Sequence, residues 1–225
     1  MGVGCNSFNA NDTSNFLLFL QELRSHSVGK GLVLTAAVGL TPWLGADGRP
    51  ITDVSGFAEV LDYIAIMNYD IWGPWSSTVG PNAPLDDACA VQETRIGSAR
   101  SAVESWERAG MPAHKIVLGI PSYGHSFRVR RRDALMNGST TRLALYPMFD
   151  ASDQPAGDEW DDQPGVDVCG VNSTVPGGII QYWGMMKFGY LDNNGNPKPG
   201  RLYRFDKCSK TVRIFLLDLP MINHP

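Results

Sequence analysis

The chain has 225 residues, 43% hydrophobic and 19% charged, which is enough for one ordinary domain or two small ones and excludes general disorder. Its 19 basic and 23 acidic residues give a formal charge of −4, which offers no support for a nucleic-acid or anionic-membrane partner. No run approaches the roughly 18 apolar residues of a membrane span, the best being Phe16–Leu20, so a spanning helix is excluded.

Met1-Gly2-Val3-Gly4-Cys5-Asn6 has neither the basic region nor the apolar core of a signal peptide. Four Cys leave three pairings open, and glycosylation triplets begin at Asn11, Asn137 and Asn172. Together they suit a secreted protein whose export signal lies outside these residues.

Asp12-Thr13-Ser14 offers capping chemistry, and Phe16, Leu17, Phe19, Leu20 and Leu23 follow at helical spacing, predicting a helix over about 13–26. The continuous apolar run 32–38 reads as a strand buried on both faces. A short helix is expected over 54–61 and a second buried strand over 63–69. A Gly/Pro/Trp-rich loop, 70–90, leads to a helix over about 93–109 closed by Gly110 and Pro112, then to a third buried strand over 116–120. Strand, helix, strand, helix, strand at this spacing means right-handed units on a parallel sheet. From 122 to 207 the pattern changes to short β-like pieces and turns such as Asn193-Asn194-Gly195, an insertion of α+β or mostly β character.

In parallel α/β folds the functional groups gather at the C-terminal ends of strands. Here those ends read Met67-Asn68-Tyr69-Asp70-Ile71-Trp72-Gly73-Pro74-Trp75 and Gly119-Ile120-Pro121-Ser122-Tyr123-Gly124-His125. Aromatic faces for pyranose rings and polar groups for hydroxyls suit a sugar. Ordinary packing of Tyr69 and Trp72, with Asp70 as a turn residue, suits the same residues equally well. Asp158-Glu159-Trp160-Asp161-Asp162 reads as a solvated acidic loop, with a calcium site as the alternative. Arg128-Val129-Arg130-Arg131-Arg132 reads as a solvated basic loop. Trp160 and Trp183 are expected to pack a small core in preference to stacking on sugar. His26, His114 and His224 lack metal-ligand spacing, and neither metal nor cofactor is expected.

Met67-x-Tyr69-Asp70 ending one strand, Gly73-Pro74-Trp75 after it, and Leu118-Gly119-Ile120-Pro121-x-Tyr123-Gly124 ending the next resemble family 18 glycoside hydrolases, the chitinases. Further matches are Gly177-Gly178, Tyr182-Trp183-Gly184, Gly200 and Tyr203-Arg204-Phe205-Asp206-x-Cys208-Ser209, so the resemblance runs over about residues 2–211. It implies an α/β fold, a partial TIM barrel holding strands five to seven of eight, with a small α+β domain inserted after the seventh. The expected division is 1–121 for the partial barrel, 122–207 for the insertion and 208–225 for an atypical tail. The implied chemistry is hydrolysis of β-1,4-linked N-acetylglucosamine polymers by substrate-assisted retention, an exception to the two-carboxylate scheme.

In that scheme Tyr69 would hydrogen-bond the acetamido carbonyl that attacks the anomeric carbon, and Asp70 would bond the same sugar. Met67 would pack beneath the ring and Trp75 would line the cleft, with Trp72 also counted among the sugar-binding residues. Tyr123 and His125 would sit at the next strand end; many relatives carry Arg where this chain has His125. The partner implied is chitin or a chito-oligosaccharide, met by an extracellular monomer. The family's acid lies in Asp-x-x-Asp-x-Asp-x-Glu, and no Asp in the 225 residues has that spacing. The chain is therefore expected to lack the acid and strands one to four, and to be inactive alone or to act as a lectin-like binder. Thr211–Pro220 resembles nothing in the family; a frame shift, retained intron or truncated product would each produce it. The resemblance puts Cys5 and Cys89 in loops on one barrel face and Cys169 and Cys208 inside the insertion, so the pairs expected are Cys5–Cys89 and Cys169–Cys208.

Overall fold

A computed structural model describes residues 5–215. The expectations for Gly2–Gly4, for His224 and for the tail from Leu216 onward lie outside the described residues. Two units form: one takes the chain up to Tyr69 together with Pro84–Ile120, the other Asp70–Ala83 together with the chain from Pro121. The expected division differs in two respects: residues 70–83 belong with the second unit, and a hairpin crosses the 207/208 boundary.

In the first unit the apolar spacing yields helix α1, Asp12–Ser25. Leu20 is buried and Phe16 and Leu17 pack on the core, while Leu18 and Phe19 stay exposed. Strands β1 (Thr35–Val38), β2 (Tyr63–Ile66) and β3 (Ile116–Leu118) make a parallel sheet in that order. Helix α2 (Ser55–Val60) lies between β1 and β2, and α3 (Ala99–Arg108) between β2 and β3. Helix α3 begins at Ala99, later than the expected start near 93. Gly97 holds φ 137°, outside helical space, and Ser98 forms a capping box with Ser101.

The register sets Val38, Ile66 and Leu118 in one row and Ala37, Ala65 and Val117 in the next. The first face is the better covered, buried at Val38 and Ile66 and half-buried at Leu118. Ile64 and Ile66 are buried, whereas Tyr63 and Val117 are exposed, so the expectation of strands buried on both faces is corrected. The cover is an aromatic stack in which Trp43 lies 4.1 Å from Phe57 and meets Trp106 edge-on at 4.9 Å. The Trp106 indole N–H donates to Gly39 O at 3.0 Å, so the largest buried ring satisfies its only donor.

The second unit is built from short antiparallel pairs. Strand β4 (Tyr123–His125) pairs with β7 (Ile179–Gln181), and β5 (Gly165–Val166) with β6 (Asn172–Ser173). Strand β8 (Leu202–Asp206) pairs with β9 (Thr211–Phe215). Two short helices, α4 (Arg131–Ala134) and α5 (Tyr182–Lys187), complete it. Part of the basic run is thus helical rather than loop, and Arg128 pairs with Asp153 at 3.0 Å.

Asp206 closes the β8–β9 turn by accepting from Ser209 Oγ at 2.7 Å and the Cys208 amide at 2.9 Å. Burial pushes its carboxyl up, but those hydrogen bonds outweigh burial and leave it below the ordinary carboxylate value. A carboxyl lowered on folding adds stability that is complete above its unfolded pKa of about 3.9 and is lost as pH falls through the folded value. Asp206→Asn is expected to flatten the loss of thermal stability below about pH 4. An acid limb of the circular-dichroism melt identical to that of the unaltered chain would refute this.

Candidate functional site

In the first unit the end of β2 turns sharply. The Met67 amide still donates to Val38 O at 2.8 Å, but the Asn68 amide turns back to Ile66 O at 3.0 Å. Asn68 is buried and its side-chain amide reaches Pro84 O at 3.4 Å, leaving Met67 exposed and Tyr69 half-buried. Gly119, just past β3, makes room for the phenol: a Cβ there would stand 2.9 Å from Tyr69 Cε1. The bare glycine lets a tyrosine ring lie over the end of the neighbouring strand.

In the second unit Asp70 sits at φ 56°, a left-handed conformation uncommon for a residue with a side chain. Asn82 holds it there. Its Oδ1 accepts the Asp70 amide at 2.8 Å, its carbonyl accepts the Ile71 amide at 3.1 Å, and its Nδ2 donates to Tyr123 O at 3.0 Å. One amide side chain thus staples the Asp70 turn to β4. The Asp70 carboxyl receives His125 Nε2 on Oδ1 at 2.8 Å, with the imidazole 4% exposed and the carboxyl 42% exposed. Facing a carboxylate, Nε2 must carry the hydrogen. Nδ1 is buried without a partner. Trp75 and Tyr123 meet the imidazole edge-on, with centroids at 5.6 Å and 5.9 Å. Trp75 itself is 63% exposed, and Gly73 spares its ring a Cβ that would stand 2.4 Å away.

His125 depends on β7, and β7 depends on two buried carboxylates. Asp161 Oδ2 accepts the amides of Gly157 at 2.8 Å and Gly178 at 3.0 Å, and Oδ1 that of Ile179 at 2.8 Å. Asp158 Oδ1 accepts the Trp160 amide at 3.0 Å and Oδ2 the Gln181 amide at 2.5 Å. The solvated-loop reading of Asp158–Asp162 is therefore corrected: Asp158 and Asp161 are buried because backbone amides saturate them, and only their neighbours face solvent. Among the described residues no group of three or more His, Cys, Asp or Glu is placed to hold a metal ion.

Trp72 stands apart from the other rim residues. It is 4% exposed, packs 5.5 Å from the Tyr146 ring, and fills space that a Cβ on Gly80 would invade at 2.0 Å. It offers no free face to a sugar, which corrects its assignment to substrate. Trp160 is 73% exposed and Trp183 36%, so neither is the core residue expected of it. Asn11, Asn137 and Asn172 are exposed, and all four Cys are disulfide-bonded. Asn82 went unnoticed because an Asn between Pro81 and Ala83 looks like any turn residue.

The strand end of the first unit thus carries a half-buried tyrosine, and the second unit a braced aspartate beside an exposed indole. A family model, that of the glycosyl hydrolases family 18, matches residues 4–197. The chain belongs to that family. It is 55% identical over 214 residues to a "chitinase-like effector" of Moniliophthora roreri, covering 95% of this chain and 51% of that protein. A "chitinase-like effector" of Moniliophthora perniciosa is 51% identical over 94% of this chain and 48% of its own length. Among solved structures a chitinase from Rhizomucor miehei gives a TM-score of 0.80 at 30% identity, covering 96% of this chain and 55% of that one. The chain thus spans about half the length of the curated relatives it matches. No helix among the described residues is long and apolar enough to cross a membrane.

Proposed function

We propose that this chain binds chitin or chito-oligosaccharides and that the 225 residues do not by themselves hydrolyse them. The observation that carries the reading is the braced Asp70: its backbone is strained, its carboxyl is oriented by His125, and an exposed Trp75 stands next to that imidazole. Strain of this kind persists where surrounding structure holds a group for use. By family likeness Tyr69 would bond the acetamido carbonyl, Asp70 a group of the same sugar, and Met67 would lie beneath the ring, while Tyr123 adds to the aromatic wall. The three parallel strands would be the fifth to seventh of a β/α barrel and residues 122–207 its inserted domain. Absence of the Asp-x-x-Asp-x-Asp-x-Glu sequence from these residues favours binding without turnover. The effector names of two relatives agree with a role beyond digestion.

Trp75→Ala is expected to lower affinity for soluble chitotetraose about tenfold by calorimetry, since an exposed ring that stacks on a ligand carries much of its binding energy. Release of fluorophore from a chitobioside substrate by the unaltered chain would refute the claim of no turnover. Undiminished binding by Trp75→Ala would refute the cleft.

The reading also includes export, glycans on Asn11, Asn137 and Asn172, and the bridges Cys5–Cys89 and Cys169–Cys208, each within one unit, the second worth about 2–4 kcal/mol in the chain-entropy picture. Peptide mapping of secreted material, before and after glycosidase treatment, should find those two linkages and N-glycan mass on all three asparagines. A Cys5–Cys169 peptide would contradict the pairing.

A further inference from the structure

Arg128-Val129-Arg130-Arg131-Arg132 holds the only consecutive basic residues in the sequence, and the sugar-binding reading makes no use of them. All four arginines are exposed. Their charges are poorly answered. Arg128 meets Asp153 at 3.0 Å and Arg132 reaches Asp133 at 3.8 Å, both on the surface. Arg130 feels the field of Asp150, but neither it nor Arg131 makes a side-chain hydrogen bond or ion pair among the described residues. Like charges at this density repel one another, so the fold by itself gains nothing from the run. The backbone here is open to a partner. Residues 126–130 belong to no helix or strand, and Arg130 is extended at φ −65°, ψ 138°. Helix α4 follows as one turn of four residues, too short to sustain itself. It hangs on the Arg130 carbonyl, which accepts the amides of Asp133 at 2.8 Å and Ala134 at 2.9 Å, while the Arg128 carbonyl accepts the Asp150 amide at 2.8 Å. Opening those three hydrogen bonds frees residues 128–133 as one extended segment.

We propose that the peptide bond between Arg131 and Arg132 is a processing site, cut by a subtilisin-type serine endoprotease selective for paired arginines. The proposal rests on the export included in the reading above and goes beyond the sugar site. A protease cleft lined with carboxylates takes guanidinium forks in fixed geometry. Arg131, Arg130 and Arg128 then fill the first, second and fourth positions before the scissile bond. A cleft that reads one arginine alone has no reason to choose this place among the chain's other arginines; one that reads a pair has no other choice. Nucleic acid fits the run less well, because the chain as a whole carries −4. The step is a hydrolysis: the C–N bond breaks, water gives its oxygen to the Arg131 carbonyl carbon, and Arg132 leaves with a free amine. The product is a two-chain protein. Tyr69, Asp70, Trp75 and His125 stay on the first piece, and the carboxylates of Asp158 and Asp161 that anchor β7 fall on the second. Pairing of β4 with β7, the Ser126 amide on Gly178 O at 2.8 Å and the Phe127–Phe149 contact at 4.9 Å hold the pieces together.

The test treats the whole folded chain with purified furin, an endoprotease of this class, and reads the fragments by mass. One cut is expected, giving a piece that ends at Arg131 and a piece that begins Arg132-Asp133-Ala134. Arg131→Gln leaves no two basic residues adjacent and should slow the cut more than about a hundredfold, since a site built for a charged donor rejects its neutral replacement. Arg128→Ala should slow it about tenfold. Trypsin, which needs a single arginine, should still cut Arg131→Gln at Arg130 or Arg132, showing that the segment opens in the variant as well. Resistance of the unaltered chain to furin, a furin cut elsewhere, or equal cutting of Arg131→Gln overturns the site. Pieces that part on a native sizing column overturn the two-chain product. The chain is also expressed behind a signal peptide in a eukaryotic host that holds such a protease. Intact chain in the medium, when furin cuts the purified protein, overturns processing; failure to leave the cell overturns the export reading and leaves the furin result to decide the site.

Discussion

Asp161→Ala is expected to destabilise the second unit by about 3–5 kcal/mol, the largest effect of any polar substitution in it. The carboxylate is 6% exposed and accepts three backbone amides, from Gly157, Gly178 and Ile179. Truncation leaves those donors buried and unpaired, at about 1–3 kcal/mol each before relaxation. Relaxation is limited. A Cβ on Gly157 would stand 1.8 Å from Ile179 O, and Gly178 already sits at φ 75°, so these segments are too close to admit a replacement side chain. Asp161→Asn should cost less, because one oxygen survives while the new NH₂ faces an amide it cannot serve. Asp162→Ala is the control: that residue is exposed and should change stability by no more than about 0.5 kcal/mol. Urea unfolding followed by tryptophan fluorescence separates the three. A loss below about 1 kcal/mol for Asp161→Ala would mean that water or neighbouring groups rescue the amides.

The contrast between Asp161 and Asp162 shows where sequence reading stops. Apolar spacing made α1 and the three parallel strands legible, because burying one face of a helix or strand leaves a period in the residue order. The helix expected from about 93 starts instead at Ala99, where the capping box at Ser98 and the positive φ of Gly97 fix its beginning. Carboxylates carry no such period. Asp158 and Asp161 look like their exposed neighbours, and the amides that bury them come from residues up to 23 positions away. Composition therefore predicted a solvated loop where the chain builds the anchor of β7. The aromatics reversed in the same way: Trp72 is inside and Trp160 outside, although both stand among loop residues. An indole's burial depends on which partner reaches it, here Tyr146, 74 positions away in the chain. The Tyr69–Asp70 motif was legible because it is a contiguous string; its brace, Asn82, was not.

That brace bears on the second large effect, expected in a double-mutant cycle between His125 and Asp70. His125→Ala and Asp70→Ala should each weaken chitotetraose binding about tenfold, near 1.4 kcal/mol, and the double variant should bind no worse than the weaker single. With its imidazole 4% exposed, Nε2 committed to Asp70 Oδ1 and the unpartnered Nδ1 buried, His125 has no polar atom that a sugar can reach. Its action must pass through the carboxylate. It fixes one oxygen so that Asp70, still 42% exposed, presents the rest of the carboxylate in one orientation. A flexible aspartate would have to lose that rotamer freedom on binding, which is the cost the imidazole removes. His125→Gln, which keeps an N–H donor, should recover part of the affinity, whereas His125→Phe, which keeps the ring contacts with Trp75 and Tyr123, should not. The tautomer supplies a readout without ligand: nitrogen NMR of the imidazole should find Nε2 protonated in the unaltered chain and lose that preference in Asp70→Ala. Additive losses in the cycle would mean that His125 touches the sugar itself and is a binding group in its own right.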